Sequence, residues 1–156
     1  NYTKVYENIP LNEVKQLTEN EYKPSSMTAL YDAIGLSIES VSQRKKEGDD
    51  VLFVITTDGE NNRSTKYTKE AVFEMIEDCK KKGWEFIFLA ANQDAFSAGN
   101  SMNISTGNSM NFAATTDGMS RSFAVSSAAT KMYRSKFGSS SDLIKNAIDE
   151  LDKTTK

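Results

Sequence analysis

A chain of 156 residues, 38% hydrophobic and 26% charged, has the size and composition of one soluble domain with a sizeable core. A net charge of −3 with a pI near 5.1 argues against nucleic acid as a main partner, because phosphate binding needs a basic face. No apolar run reaches membrane-spanning length and no signal peptide is visible. Histidine is absent, which removes Ser-His-Asp and Cys-His machinery and histidine-based zinc sites. Cys79 is the lone cysteine; an internal disulfide is excluded, and a reducing, cytoplasmic setting is expected.

Residues 2–6 are rich in β-formers and predict a short edge strand. Residues 8–26 carry Pro10 and Pro24 and predict a long connection, with a helical turn over 11–17. Leu30, Ile34, Ile38 and Val41 recur at helical spacing, so a helix is expected over 28–46, capped by Ser25 or Ser26. Gly48 sits in the charged turn that ends it.

The five apolar residues Val51-Leu-Phe-Val-Ile55 then predict a strand over 51–56 buried on both faces, as in the middle of a parallel sheet. The run stops at Thr56, Thr57 and Asp58, and Gly59 supplies a turn. After a polar loop over 59–66, Thr68 is placed to cap a helix carrying Val72, Met75, Ile76 and Cys79 on one face. Lys80, Lys81 and Lys82 suit that helix's C-terminal dipole. Gly83 leads into a second apolar strand over 84–91.

Two strands around one crossover helix make a parallel, right-handed unit the default. Beyond it, a short helix over 94–99 and a last short strand over 111–115 are expected. A helix over 117–137 would turn Met119, Phe123, Tyr133 and Phe137 to one face. After a linker over 138–141, Ser141 would cap an amphipathic helix bearing Leu143, Ile144, Ala147, Ile148 and Leu151. The expected division is residues 1–137 as the α/β domain and 138–156 as linker and C-terminal helix.

Met27-Thr-Ala-Leu-Tyr-Asp-Ala-Ile34, followed by Ile55-Thr-Thr-Asp-Gly-Glu60 at a strand end, resembles the von Willebrand factor type A domain. The segment Gly83-Trp-Glu-Phe-Ile-Phe-Leu-Ala-Ala-Asn-Gln-Asp-Ala95 looks like the next strand in bacterial and phage members. The resemblance covers roughly residues 1–115 by element order. It implies an α/β, three-layer, Rossmann-like fold: a mainly parallel sheet with helices on both faces. It also implies a metal-ion-dependent adhesion site at the C-terminal rim of that sheet.

Carried over residue by residue, Thr28 matches the family's second-loop hydroxyl ligand and Asp58 its third-loop carboxylate. Thr57, Glu60, Asn92 and Asp94 fall near the same rim. Asp94 better suits a helix cap, Glu60 better suits solvent, and Asp58-Gly59 is also a common turn. A set of oxygen ligands suits Mg²⁺, or Mn²⁺ or Ca²⁺. The family's first loop, Asp-x-Ser-x-Ser, is absent. Asp117-Gly-Met-Ser-Arg-Ser122 has the wrong spacing and position to replace it.

The chain thus resembles an N-terminally incomplete member, lacking one strand–helix–strand unit. The first residue, Asn1, is not an initiator. Further ligands and the missing unit are expected from an upstream segment or another chain, and the strand over 51–56 would otherwise keep an open apolar edge.

The resulting expectation is a non-enzymatic module that binds a protein partner, through an acidic side chain, at the cation; its setting is cytoplasmic, or virion-associated for a phage protein. The alternative is a structural or assembly component that keeps the fold without the metal. A metal-assisted hydrolase is disfavoured by the lack of histidine, of paired catalytic carboxylates and of a Gly-rich phosphate loop.

Overall fold

In the computed structural model, residues 2–21, 27–91, 94–136 and 138–154 are described. Strands β1 (Leu52–Thr57), β2 (Glu85–Ala91) and β3 (Ser109–Phe112) form one sheet in that order, and both pairings are parallel. The register sets Ile55 beside Phe88 and Leu89 beside Met110. The two apolar runs are therefore parallel neighbours, as the single crossover helix between them requires.

Helices α1 (Leu30–Arg44), α2 (Lys69–Lys81), α3 (Ala95–Ser101), α4 (Thr116–Ser135) and α5 (Leu143–Thr154) complete the fold. Strand β2 is buried along almost its whole length because side chains alternate between two cores. Phe86, Phe88 and Ala90 join Leu30, Ile34 and Ile38 of α1 and Val72, Ile76 and Cys79 of α2. Ile87, Leu89 and Ala91 join Val125, Ala129 and Met132 of α4 and Leu143, Ile144 and Ala147 of α5. Helix α5 is thus part of the same core as the sheet.

Local signals hold where they are short-ranged. The Thr68 hydroxyl accepts from the Ala71 amide and starts α2. Asp94 accepts from the Phe96 and Ser97 amides and starts α3. The expected boundaries shift by a residue in β1 and β2. The last strand ends at Phe112, earlier than expected, because Thr115 turns away to cap α4 through the Gly118 amide.

Other expectations are corrected. Residues 2–6 form no strand; they lie against α1, where Tyr2 meets the Ser37 hydroxyl at 3.2 Å and Glu7 pairs with Arg44 at 2.6 Å. With no strand alongside, β-propensity has nothing to act on. The expected turn over 11–17 shrinks to a 3-10 turn at Leu11–Glu13. Helix α1 starts at Leu30, after Ala29, which offers no side-chain cap; Ser25 and Ser26 lie outside the described residues.

The buried face of α4 is Ser122, Val125, Ala129 and Met132, while Phe123 is 60% exposed. Small residues let α4 approach the sheet and α5, and the larger ring on the next face is left outside. Phe137 lies outside the described residues. Ser141 does not cap α5. The Leu143 amide instead donates to Asn108 Oδ1 at 2.8 Å, and Asn108 Nδ2 donates to the Ser140 carbonyl at 2.7 Å.

Strand β1 is an inner strand only in composition. Among the described residues it pairs with β2 alone, and its other edge is open.

Candidate functional site

Strand β1 ends at Thr57, whose side chain turns back on its own chain. The Thr57 hydroxyl donates to the Gly59 carbonyl at 2.8 Å and lies 3.3 Å from the Gly59 amide. This closes a tight turn and leaves Asp58 exposed at its apex. Gly59 then passes beneath Thr28: a Cβ on Gly59 would stand 3.3 Å from Thr28 Oγ1. The start of α1 and the end of β1 meet at one rim, although their residues are about 30 apart.

Backbone groups hold that contact. The Thr28 amide donates to Asn62 Oδ1 at 2.8 Å, and the Thr28 carbonyl accepts from the Asn62 and Arg63 amides at 3.0 and 3.2 Å. The first amides of a helix have no partner within the helix. In α1 the Tyr31 amide donates to Asn61 Oδ1 at 3.4 Å and the Asp32 amide to the Ser64 hydroxyl at 3.1 Å. The cap is supplied from across the rim.

Asp32 reciprocates. Its carboxylate accepts from the Thr65, Lys66 and Tyr67 amides at 2.9, 2.9 and 2.8 Å. The Thr65 amide, with those of Tyr67 and Lys66, holds the Asp32 carboxyl below the usual range against a smaller opposing effect of burial. Burial, aided by the charges of Glu70 and Glu60, raises the Tyr31 phenol. Tyr67 lays its ring on Gly35 of α1, where an added Cβ would come within 2.6 Å of the ring. Residues 59–67 are therefore locked to the first turns of α1 at several points.

Of the expected rim residues, Thr28 lies against Gly59, the residue that follows Thr57 and Asp58 in the turn. Thr57 is buried and its hydroxyl is engaged in its own turn. Glu60 is exposed. Asp94 serves as the cap of α3, where the Ala95 amide also donates to Asn111 Oδ1 at 2.7 Å. Asn92 lies outside the described residues. A separate shallow cavity of about 250 Å³, lined by Tyr2 to Tyr6 with Ser37, Ser40, Val41 and Arg44, involves none of the rim residues.

The donor set at the rim is oxygen only, which suits a hard cation in kind. It is short in number. No cluster of three or more Asp, Glu, Cys or His residues suited to a metal exists among the described residues. One carboxylate and one hydroxyl are too few to make a cation site by themselves, and binding would need further ligands.

Asn61, Asn62, Ser64 and Asp32 are the positions that sequence reading passed over. Asn-Asn-x-Ser is cap-forming text, yet nothing local says that the helix it caps lies earlier in the chain. No protein-family model matches this chain, and no curated protein or solved structure matches it either.

Proposed function

We propose that this chain is a non-enzymatic protein-binding module of the von Willebrand factor A type: a three-layer, Rossmann-like domain that engages its partner at the C-terminal rim of the sheet. The observation that supports the reading is the approach of Thr28 Oγ1 to Gly59, in the turn that follows a parallel strand and carries the exposed Asp58. Ligands in open α/β sheets bind at that end of the strands. Asp58 has no hydrogen bond or ion pair among the described residues and so is free to act outward.

In this reading Thr28 and Asp58 hold a divalent cation, and Thr57 fixes the turn that aims Asp58. The cation, once bound, supplies a positive centre able to take an acidic side chain of a partner. The remaining ligands come from outside this chain. The reading is non-enzymatic because the chain has no histidine and its sequence shows no paired catalytic carboxylates and no Gly-rich phosphate loop. A cytoplasmic or virion-associated setting goes with it.

A second reading, a structural or assembly component without metal, draws support from the lack of a three-acid cluster among the described residues. Paramagnetic Mn²⁺ separates the two. Titrated into the isotope-labelled chain, it is expected to broaden the amide signals of Thr28, Asp58 and Gly59 first. Asp58→Ala should abolish that effect while leaving the melting temperature unchanged. Broadening spread evenly over surface acids such as Asp149 and Asp152, or none in a folded chain, would favour the metal-free reading.

A further inference from the structure

The chain contains two Asp-Gly pairs, Asp58-Gly59 and Asp117-Gly118, and no Asn-Gly pair. Asp-Gly is the aspartyl sequence most open to attack by the backbone on its own side chain. Glycine has no Cβ to hold its nitrogen away from the preceding carboxyl, and it leaves the backbone free to rotate into the geometry of attack. By sequence the two pairs are alike, and both aspartates are exposed. The fold separates them.

Asp117 and Gly118 lie in the first turn of α4. The Gly118 amide donates to the Thr115 hydroxyl at 3.1 Å, and Gly118 sits so close to the Ala113 carbonyl that an added Cβ would collide with it. For the Gly118 nitrogen to reach the Asp117 carboxyl, the chain must leave helical geometry, lose that cap and break this packing. Asp58 is placed differently. It follows Thr57, where the register with β2 ends, and belongs to no helix or strand. The Gly59 amide lies 3.3 Å from the Thr57 hydroxyl, a long hydrogen bond within one turn. Rotation at Asp58 disturbs that local turn but no ladder pairing and no helix.

We infer that Asp58-Gly59 is a site of spontaneous isoaspartate formation in the folded protein, and that α4 shields Asp117-Gly118 from the same chemistry. The Gly59 nitrogen attacks Asp58 Cγ. An N–Cγ bond forms, a Cγ–O bond breaks, and the departing oxygen takes the amide hydrogen and a solvent proton to leave as water. Water then opens the succinimide ring at either carbonyl. Opening at the Asp58 backbone carbonyl leaves the main chain running through Cγ, as isoaspartate; opening at Cγ restores aspartate. No oxidant or cofactor enters, and the final mass is unchanged.

Isomerisation adds a methylene to the main chain between Thr57 and Gly59 and moves the carboxylate onto Cα. The Thr57 hydroxyl, which donates to the Gly59 carbonyl at 2.8 Å, then no longer closes its turn. The added length passes along the loop to Asn62, whose side chain and amide bind Thr28. The rim loop therefore loosens from the start of α1, whether or not a cation binds there.

The test incubates the full folded chain in EDTA for weeks at neutral pH and body temperature, beside a second sample in urea. Peptide maps with Asp-N protease, which cuts before aspartate but not before isoaspartate, follow the two sites. An isoaspartate-specific methyltransferase confirms the product. In the folded sample, isoaspartate should accumulate at Asp58 about tenfold faster than at Asp117, roughly the factor that one helix cap supplies. In urea the two rates should converge. Asp58→Glu, whose larger ring closes far more slowly, should remove most of the methyltransferase signal. Amide exchange at Asn62 and Arg63 should be faster in the isomerised fraction than in fresh protein. Equal or reversed rates at the two sites in the folded chain would overturn the proposal. So would isoaspartate at Asp58 in urea with none in the folded chain. Unchanged exchange at Asn62 and Arg63 would overturn the loosening of the rim.

Discussion

Substituting Gly35 probes the lock between α1 and the rim loop through opposing effects of known size. In an exposed helix, Gly→Ala stabilises by ~1 kcal/mol, since alanine loses less backbone entropy. Gly35 is buried, and an added Cβ would meet Tyr67 Cδ2, Cε2 and Cγ at 2.6 to 2.7 Å. Carbon atoms at rest sit about 3.5–4.0 Å apart, so the ring would have to retreat by roughly 1 Å. Tyr67 cannot swing freely, because its amide is held by Asp32 and its neighbour Lys66 stands 4.9 Å above the ring.

Overpacking of this kind costs ~1–3 kcal/mol. It outweighs the propensity gain, and Gly35→Ala should destabilise by about 1 kcal/mol, lowering the melting temperature by about 2–4 °C for a chain of this size. Removing the ring should reverse the sign: in a Tyr67→Ala background the same substitution should stabilise by ~1 kcal/mol. Urea denaturation of the four proteins of this double-mutant cycle measures both values. Stabilisation by Gly35→Ala with Tyr67 intact would refute the packing argument, and with it the claim that Tyr67 pins the rim loop to α1.

Asp32 makes the same lock sensitive to pH. Its folded pKa lies below its unfolded value, so its contribution is present above about pH 4 and is lost as pH falls through the folded value. The stability gap between wild type and Asp32→Asn, from urea midpoints, should be widest near neutrality and narrow on acidification; a gap constant down to about pH 3 would contradict this assignment. At the far end, Asn108→Ala should leave the Leu143 amide buried without its acceptor and cost about 2 kcal/mol. Limited proteolysis should then release α5 sooner than in wild type, and unchanged digestion would show that Asn108 does not anchor that helix.

Short-range patterns were legible in this chain. The apolar runs at 51–55 and 84–91 became strands, Thr68 and Asp94 became helix caps, and Leu143, Ile144 and Ala147 became the buried stripe of α5. Each depends on residues within a few positions of one another, where periodicity and capping act. The approach of Thr28 to Gly59 joins segments about 30 residues apart, and no local pattern marks it.

Tertiary structure decided what joins distant segments. The cap of α1 comes from Asn61 and Ser64, and the first amide of α5 belongs to Asn108, 35 residues earlier. An amide without a helix partner accepts whichever oxygen the fold brings near, and no local signal names it. Which side of α4 is buried was settled by the small residues that α5 and the sheet could approach, not by Phe123. The composition of β1 is that of an inner strand, but composition records only how apolar its surroundings are to be. Whether a neighbour lies on each side is a property of the assembled sheet, and among the described residues β2 alone lies beside β1.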